Sequence, residues 1–146
     1  MFRAELQARM SDLLVKLNRM EEARRYAEEG IGYIAQIASR EDAAASQIQD
    51  AARYLMETKV PSVRNYKRAL EFAERANRLS NGSDAGILEY LAQAYSLNGN
   101  PSLAAETVRK ALALLPPLGP DEKPSRARQG YMDQLSEYEA KAGKRR

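Results

Sequence analysis

The side chains that could do chemistry in this 146-residue chain are carboxylates, amines and hydroxyls, because the sequence has no histidine and no cysteine. An imidazole general base, a thiolate nucleophile and the usual structural zinc sites are therefore excluded. The sequence also lacks the GxSxG, GxxxxGK and GxGxxG motifs. Its one close glycine pair, Gly30 and Gly32, lies in a helical pattern without a preceding strand. We expect no enzymatic activity and no cofactor.

Paired carboxylates are the groups that come closest to a metal or acid–base site. They stand at Glu21-Glu22, Glu28-Glu29 and Glu41-Asp42, each pair near an arginine. Such positions, near helix starts and on solvated helix faces, are favoured by the helix dipole and by i,i+4 ion pairing. Oxygen-ligand metal sites instead need ligands that converge from special loops. We therefore expect no metal site.

The net charge of +3 comes mostly from the C-terminal end of the chain. Residues 121–146 hold seven basic and five acidic side chains, so the rest of the chain is nearly neutral. A neutral body gives little counterion-release drive towards nucleic acid. The basic end, Lys141 with Lys144-Arg145-Arg146, has no interleaved aromatic residues that could stack on bases. We interpret it as a solubilising terminus and expect no nucleic-acid or membrane partner.

The composition predicts a soluble, helical chain. Aromatic residues make up only 7% of the sequence and charged residues 29%, and no useful length of chain alternates with the period of a strand. No apolar run approaches the roughly 20 residues that span a bilayer, and the N-terminus lacks an apolar signal core. We expect a cytoplasmic protein. Helical patterning begins at residue 4, which fits either a compact small protein or a segment of a longer one.

Residues 85–118 show the clearest helical pattern. Leu88, Leu91, Ala92 and Tyr95 share one helical face. The pattern is then broken by Asn98-Gly99-Asn100-Pro101, which supplies a left-handed glycine, an N-cap and a first-turn proline. A second apolar face follows until Pro116-Pro117; it consists of Ala104, Val108, Ala111, Leu112 and Leu115. The segment predicts two short helices folded back on each other.

Residues 4–38 repeat this arrangement. The first predicted helix has an apolar stripe formed by Leu6, Met10, Leu13, Leu14 and Leu17. A turn is expected at Asn18, followed by a second helix whose small residues are Ala23, Ala27 and Gly30. Each interior glycine costs about 1 kcal/mol in a helix, but a small residue at Gly30 allows close packing. We therefore expect this helix to continue through Gly30 and Gly32.

Residues 40–82 are expected to form a less regular helix pair, the second along the chain. The inner face of its first helix is expected to consist of Ile48, Ala51, Ala52 and Leu55. Ser39 is expected to cap a helix that begins at Arg40–Asp42, with Asp42 near the positive end of the dipole. A five-residue insertion lies within residues 57–63, where Pro61 disfavours helix. Insertions of this kind map to one edge of a helical array and sometimes carry binding.

A last helix is expected over about residues 125–142. Its apolar face is formed by Tyr131, Leu135, Tyr138 and Ala142, and its polar face by Arg126, Gln129, Asp133, Glu137 and Lys141. One apolar stripe opposite one solvated face is typical of a terminal capping helix.

The order and spacing in residues 85–118 resemble one tetratricopeptide repeat, a unit of about 34 residues. The resemblance covers residues 4–118, although Gln7, Ile48 and Leu88 stand where the family often has tryptophan. It implies an all-α fold: a right-handed α-solenoid of three antiparallel helix pairs plus one C-terminal helix. The implied organisation is a single domain over residues 1–146, with units at about 4–38, 40–82 and 85–118 and a capping helix at about 125–142.

In this family the first helix of each pair lines a concave groove that binds a peptide or helix. Transferred here, the partner-binding residues are Glu5, Arg9, Asp12 and Lys16, then Gln49, Arg53 and Met56, and finally Glu89, Tyr90, Gln93 and Leu97. Tyr90 and Leu97 are the preferred anchors, because apolar side chains directed away from their own core indicate contact with a partner or with the capping helix. Asp12 would repel a carboxylate, which disfavours the subtype that binds a partner's terminal carboxylate.

The resemblance therefore implies a non-enzymatic scaffold or adaptor whose partner is another protein. Two alternatives share its architecture: a small secretion-type chaperone, and a regulatory segment of a larger protein such as a kinase. Self-association through exposed repeat ends is a further hypothesis.

Overall fold

The computed structural model describes residues 2–119 and 122–144. Within these ranges the regular structure is entirely helical, which confirms the all-α class. Its α-helices are α1 (Phe2–Lys16), α2 (Met20–Ala38), α3 (Ala45–Glu57), α4 (Tyr66–Leu79), α5 (Ala85–Leu97), α6 (Pro101–Leu114) and α7 (Arg126–Gly143), with a 3-10 turn at Pro61–Val63. No helix in the described part of the chain is long and apolar enough to cross a membrane. Arg145 and Arg146 of the basic end lie outside the described residues.

The chain forms two compact units, Met1–Ala76 and Asn77–Arg146. In the first unit α1 packs against α2, and α2 packs against α3 and the 3-10 turn. In the second unit α5 packs against α6, and α6 packs against α7. The single domain inferred from the repeat resemblance stays a prediction.

Left-handed residues stand in the turns that the sequence predicted. Asn18 has a φ of 57° and Gly99 a φ of 84°, so the turns after α1 and α5 use residues that tolerate this conformation. α6 begins at Pro101, as expected for a first-turn proline. Asn100 occupies the N-cap position, although its side chain makes no capping hydrogen bond there.

α2 runs unbroken through both of its glycines, as predicted. At Gly30 the neighbouring side chains approach so closely that an added Cβ would lie 2.8 Å from the Tyr54 hydroxyl and 3.3 Å from the Gln7 Cβ. At Gly32 an added Cβ would meet no atom within 4 Å. Gly30 is thus the position where α1 and α3 both come close to α2.

The start of α3 corrects the sequence prediction. Ser39 ends α2 instead of capping a new helix, and its hydroxyl donates to the Ala35 carbonyl at 2.7 Å. Arg40 to Asp42 form a turn closed by an ion pair of 2.8 Å between these two residues. α3 begins only at Ala45. A serine can bond the carbonyl four residues earlier as readily as it can cap the next helix, so its presence did not decide between the two.

The buried face of α1 also differs from the predicted apolar stripe. Leu14 is buried with Ala4 and Ser11, whereas Leu6, Leu13 and Leu17 are 50%, 49% and 57% exposed. The Ser11 hydroxyl donates to the Ala23 carbonyl of α2 at 2.9 Å. Small side chains allow close approach of two helices, and here they set which side of α1 faces α2.

The insertion at residues 57–63 is built into the core of the first unit. Val60 is only 2% exposed and packs in a cluster with Leu14, Ala23 and Ala27. The Arg64 Nε donates to the Thr58 carbonyl at 2.9 Å, which closes the loop on itself. The insertion therefore contributes to the packing of α1 and α2.

The second unit has a core of small residues and a capping helix. Ala92, Ala104 and Ala111 are completely buried, as expected for residues of the two predicted apolar faces. Ser125 caps α7 by accepting from the Arg128 N–H at 3.2 Å. Tyr131 and Tyr138 are buried, while all five residues of the predicted polar face are exposed. The two-faced character predicted for this helix is confirmed.

Candidate functional site

A cleft of about 270 Å³ lies between α1, α2 and α3 in the first unit. It is lined by Glu5, Ala8, Arg9 and Asp12 of α1, by Ile34 of α2, and by Asp50, Arg53 and Tyr54 of α3. The lining residues of α1 and α3 each follow helical spacings of three and four, so each set shares one face. A neighbouring pocket of about 140 Å³ shares four of these residues and adds Glu57 and Thr58. The two together form a groove along α1 and α3.

The charges of the groove are paired within the chain and remain accessible. Arg9 lies 2.8 Å from Glu5, and Arg53 lies 3.2 Å from Asp50. Asp12 is 3.3 Å from the ammonium group of Lys59, on the insertion. Each of these side chains is at least 35% exposed, and exposed pairs contribute little to stability. The groove therefore presents both signs of charge, and its ion pairs can be exchanged at low cost.

Tyr54 gives the groove an apolar wall. Its hydroxyl reaches Gly30, where a larger residue would block it. Burial, with a smaller contribution from the nearby Asp12 carboxylate, raises the pKa of Tyr54 to about 12. The phenol is therefore neutral near pH 7 and combines a flat apolar surface with a polar tip.

Four of the residues predicted to bind a partner line this groove: Glu5, Arg9, Asp12 and Arg53. Lys16 is exposed and Gln49 is partly buried, and neither of them lines the groove. Met56 is only 4% exposed, so the expectation that it points outward is wrong. The side of α3 that carries Met56 is buried, whereas the sequence analysis predicted that it faces a partner.

Asp50 and Tyr54 line the groove without having been predicted. The buried face of α3 was placed correctly on Ile48, Ala51, Ala52 and Leu55, all of which are buried. The face opposite these residues contains Asp50, Arg53 and Tyr54, since each residue advances about 100° around the helix. The outward face predicted for α3, which included Gln49 and Met56, therefore lies about one residue, or 100°, away from the face that lines the groove. The sequence feature that could have identified the lining face is the i,i+4 spacing of Asp50 and Tyr54, which places both side chains on one side of the helix.

In the second unit the corresponding helix is α5, and α7 contacts part of its outward face. Glu89 accepts a hydrogen bond from the Gln134 side chain at 3.0 Å. Burial, together with the Glu89 carboxylate, raises the pKa of Tyr131. α7 thus engages the Glu89 carboxylate, and the expectation that Glu89 also contacts a partner stays a prediction.

The other predicted residues of α5 differ in how much surface they present. Tyr90 and Gln93 are partly buried, whereas Leu97 is 40% exposed. Leu97 is therefore the most accessible apolar side chain of the predicted α5 set. Whether any of the three contacts a partner stays a prediction.

The comparisons with known proteins name no relative: no model of a protein family matches this chain, and no curated protein matches it. Within the described residues, no group of three or more acidic side chains is placed to hold a metal ion. What the groove offers chemically is paired surface charge, an aromatic wall and two helical edges.

Proposed function

We propose that this chain is a non-enzymatic, cytoplasmic, tetratricopeptide-like scaffold whose helix pairs stack as a right-handed α-solenoid. Three features support the proposal. The helices α1 to α6 have bounds close to those of the three predicted units. Gly30 provides the small residue expected at a close helix contact. α7 has one buried and one solvated face, as a capping helix does.

The proposed binding site is the groove of the first unit, and its occupant is a peptide or helix of another protein. The observation that carries this proposal is that Glu5, Arg9, Asp12 and Arg53, named from the sequence, line one groove. Residues separated by about 40 positions in the chain are brought to the same surface. A groove with both charges favours a partner segment of mixed charge.

Most of the binding energy would come from a small part of the groove. Tyr54 and the apolar surface near Ile34 provide the anchor, because aromatic residues in partly desolvated pockets dominate interfaces. Arg9 and Arg53 would fix the position of the partner segment along the groove. Each would exchange its ion pair with Glu5 or Asp50 for one with a carboxylate of the partner. Tyr90, Gln93 and Leu97 of α5 are proposed as further contacts.

The experiment is affinity capture from the native cell with the full chain, followed by mass spectrometry. The test variant is Arg9→Glu with Arg53→Glu, which reverses two charges in the groove. The matched control is Arg25→Glu with Arg126→Glu, since both of these arginines are exposed outside the groove. All variants should keep the circular dichroism spectrum of the wild-type chain.

We expect the control to recover the same partner as the wild-type chain and the groove variant to lose it. Titration of the recovered segment should then show binding weakened by about tenfold or more in the groove variant. Equal recovery by both double variants would reject the groove as the binding site.

A further inference from the structure

The outer side of α1 carries an apolar stripe that is separate from the groove. We define the α1 stripe as Leu6, Met10, Leu13 and Leu17 with Met20 at the start of α2. Leu6, Leu13, Leu17 and Met20 are between 42% and 57% exposed, and Met10 is partly exposed. The other large exposed hydrophobic residues are distributed over α4 to α7 and the segment after α6. A row of this length on one helix face is a candidate contact surface.

The spacing of the stripe is that of a seam between two helices. Leu6, Met10, Leu13 and Leu17 are separated by four, three and four residues, which is the a/d pattern of packed helices. Met20 lies beyond the turn at Asn18 and extends the stripe onto the start of α2. Leu6 to Leu17 covers about 16 Å along the axis, or three turns. A partner helix of about 12 to 15 residues would match this length.

The edges of the stripe are basic. On the helical wheel Arg3 borders one side, and Arg9 and Lys16 border the other. The Arg3 guanidinium is held 4.4 Å from the centre of the Tyr33 ring. The acidic residues of α1 lie further round the helix, where Glu5 pairs with Arg9 and Asp12 with Lys59. An incoming helix therefore meets leucine and methionine flanked by positive charge.

We propose that the α1 stripe docks an amphipathic helix of another protein whose apolar face is flanked by acidic side chains. Acidic flanks complement Arg3 and Lys16, which lie on opposite edges of the stripe, and electrostatic complementarity selects the partner. A second copy of this chain fits less well, because antiparallel packing of two stripes brings Arg9 and Lys16 of both copies to one edge. Like charges at such edges oppose pairing. This proposal does not depend on the groove proposal.

The test uses two synthetic helical peptides of about 15 residues with the same leucine face. One carries glutamate at the flanking positions and the other lysine. Each is titrated into the full chain and followed by fluorescence anisotropy. We expect the glutamate peptide to bind about tenfold more tightly at low salt. The difference should shrink at 0.5 M salt, because exposed charges are then screened.

Two variants separate the apolar and the charged contributions. Leu6→Gln with Leu13→Gln and Leu17→Gln should abolish binding of the glutamate peptide. The matched control, Leu79→Gln with Leu103→Gln and Leu114→Gln, changes three exposed leucines elsewhere and should retain it. Arg3→Glu with Lys16→Glu should reverse the preference in favour of the lysine peptide, and it leaves every groove residue unchanged.

Three results would overturn the proposal: no binding of the glutamate peptide, equal binding of both peptides at low salt, or full binding by the triple stripe variant. Analytical ultracentrifugation then distinguishes self-association through the α1 stripe from binding of another protein. A wild-type dimer that the triple stripe variant converts to monomer would assign the stripe to self-association instead. A wild-type monomer with selective binding of the glutamate peptide is the expected result.

Discussion

The first helices of the two units, α1 and α5, present their outward residues in different ways. On α1, Glu5 and Arg9 border an open groove and pair with each other at the surface. On α5, the Glu89 carboxylate accepts a hydrogen bond from Gln134 of α7. Predicted partner-binding residues are thus accessible at the surface of the first unit, whereas one of those in the second unit is engaged by a later helix of the chain. A polar residue on the outer face of a helix is free for a partner only where no later element of the chain engages it.

The packing of α7 in the second unit can be tested at Tyr138, a side chain of α7 that is only 5% exposed. Tyr138→Ala should lower the free energy of unfolding by about 3 kcal/mol, because a buried aromatic ring is lost and a cavity remains. Urea unfolding monitored by circular dichroism measures the change. Met132→Ala, on the same helix but 46% exposed, should change the stability by less than about 0.5 kcal/mol. Similar losses for both variants would mean that α7 is not held by its tyrosine face.

The stability of the first unit depends instead on the insertion at residues 57–63. A substitution at Val60 tests this dependence. Val60→Ala removes two methyl groups from the cluster with Leu14, Ala23 and Ala27 and should cost about 2 kcal/mol. Val63→Ala is the control, because Val63 packs against the cluster from a partly exposed position. Its cost should be clearly smaller. If neither variant were less stable in thermal unfolding, the insertion would not be part of the core.

The close approach at Gly30 distinguishes two glycines of the same helix. Gly32→Ala should stabilise the chain by up to about 1 kcal/mol, since alanine is the better helix former and the site is open. Gly30→Ala should lose this gain, because its Cβ would meet the Tyr54 hydroxyl at 2.8 Å. We expect Gly30→Ala to be less stable than Gly32→Ala by about 1–2 kcal/mol. Denaturant midpoints measure the difference.

A second substitution shows whether the Tyr54 hydroxyl causes this loss. Tyr54→Phe removes the atom that an alanine at position 30 would contact most closely. The double variant Gly30→Ala with Tyr54→Phe should recover part of the stability that the single glycine variant loses. Strict additivity of the two substitutions would place the strain elsewhere.

A further expected effect is a pH dependence that both units share. Burial raises the pKa of Tyr54 and of Tyr138 from 10.0 to about 12. The folded chain therefore keeps these protons to a higher pH than the unfolded chain. Their contribution is fully present below pH 10 and is lost as the pH rises from 10 towards 12. Urea midpoints between pH 9 and 11.5 should fall less steeply in Tyr54→Phe and in Tyr138→Phe than in the wild-type chain; parallel curves would contradict the shifts.

Local turn chemistry made most helix boundaries predictable. Asn18 and Pro101 favour particular backbone conformations through their own side chains, and Gly99 tolerates the left-handed conformation because it has no Cβ. The sequence alone therefore locates these turns. The same local rules did not locate the start of α3, because Ser39 bonds backwards to Ala35. Where a residue has two local hydrogen-bonding options, its neighbours in space decide between them.

The exposed faces were harder to predict than the helices. Leu6 and Leu13 look like core residues by periodicity, yet Ala4 and Ser11 occupy the interface with α2 because small residues permit close approach. On α3, Arg53 was placed in the groove correctly, while Met56 proved to be buried. One residue corresponds to about 100° of rotation, so a small error in the assumed orientation of a helix exchanges a surface residue for a buried one.

The central claim is that the groove between α1 and α3 holds the partner. Methyl NMR spectra of the full chain, labelled at alanine and isoleucine, can be recorded while the partner segment recovered by affinity capture is added. We predict shifts of the Ala8 and Ile34 methyl signals, which line the groove, and unchanged signals from Ile87 and Ala104 in the core of the second unit. Saturating binding that shifts Ile87 or Ala104 and leaves Ala8 and Ile34 in place would contradict the account.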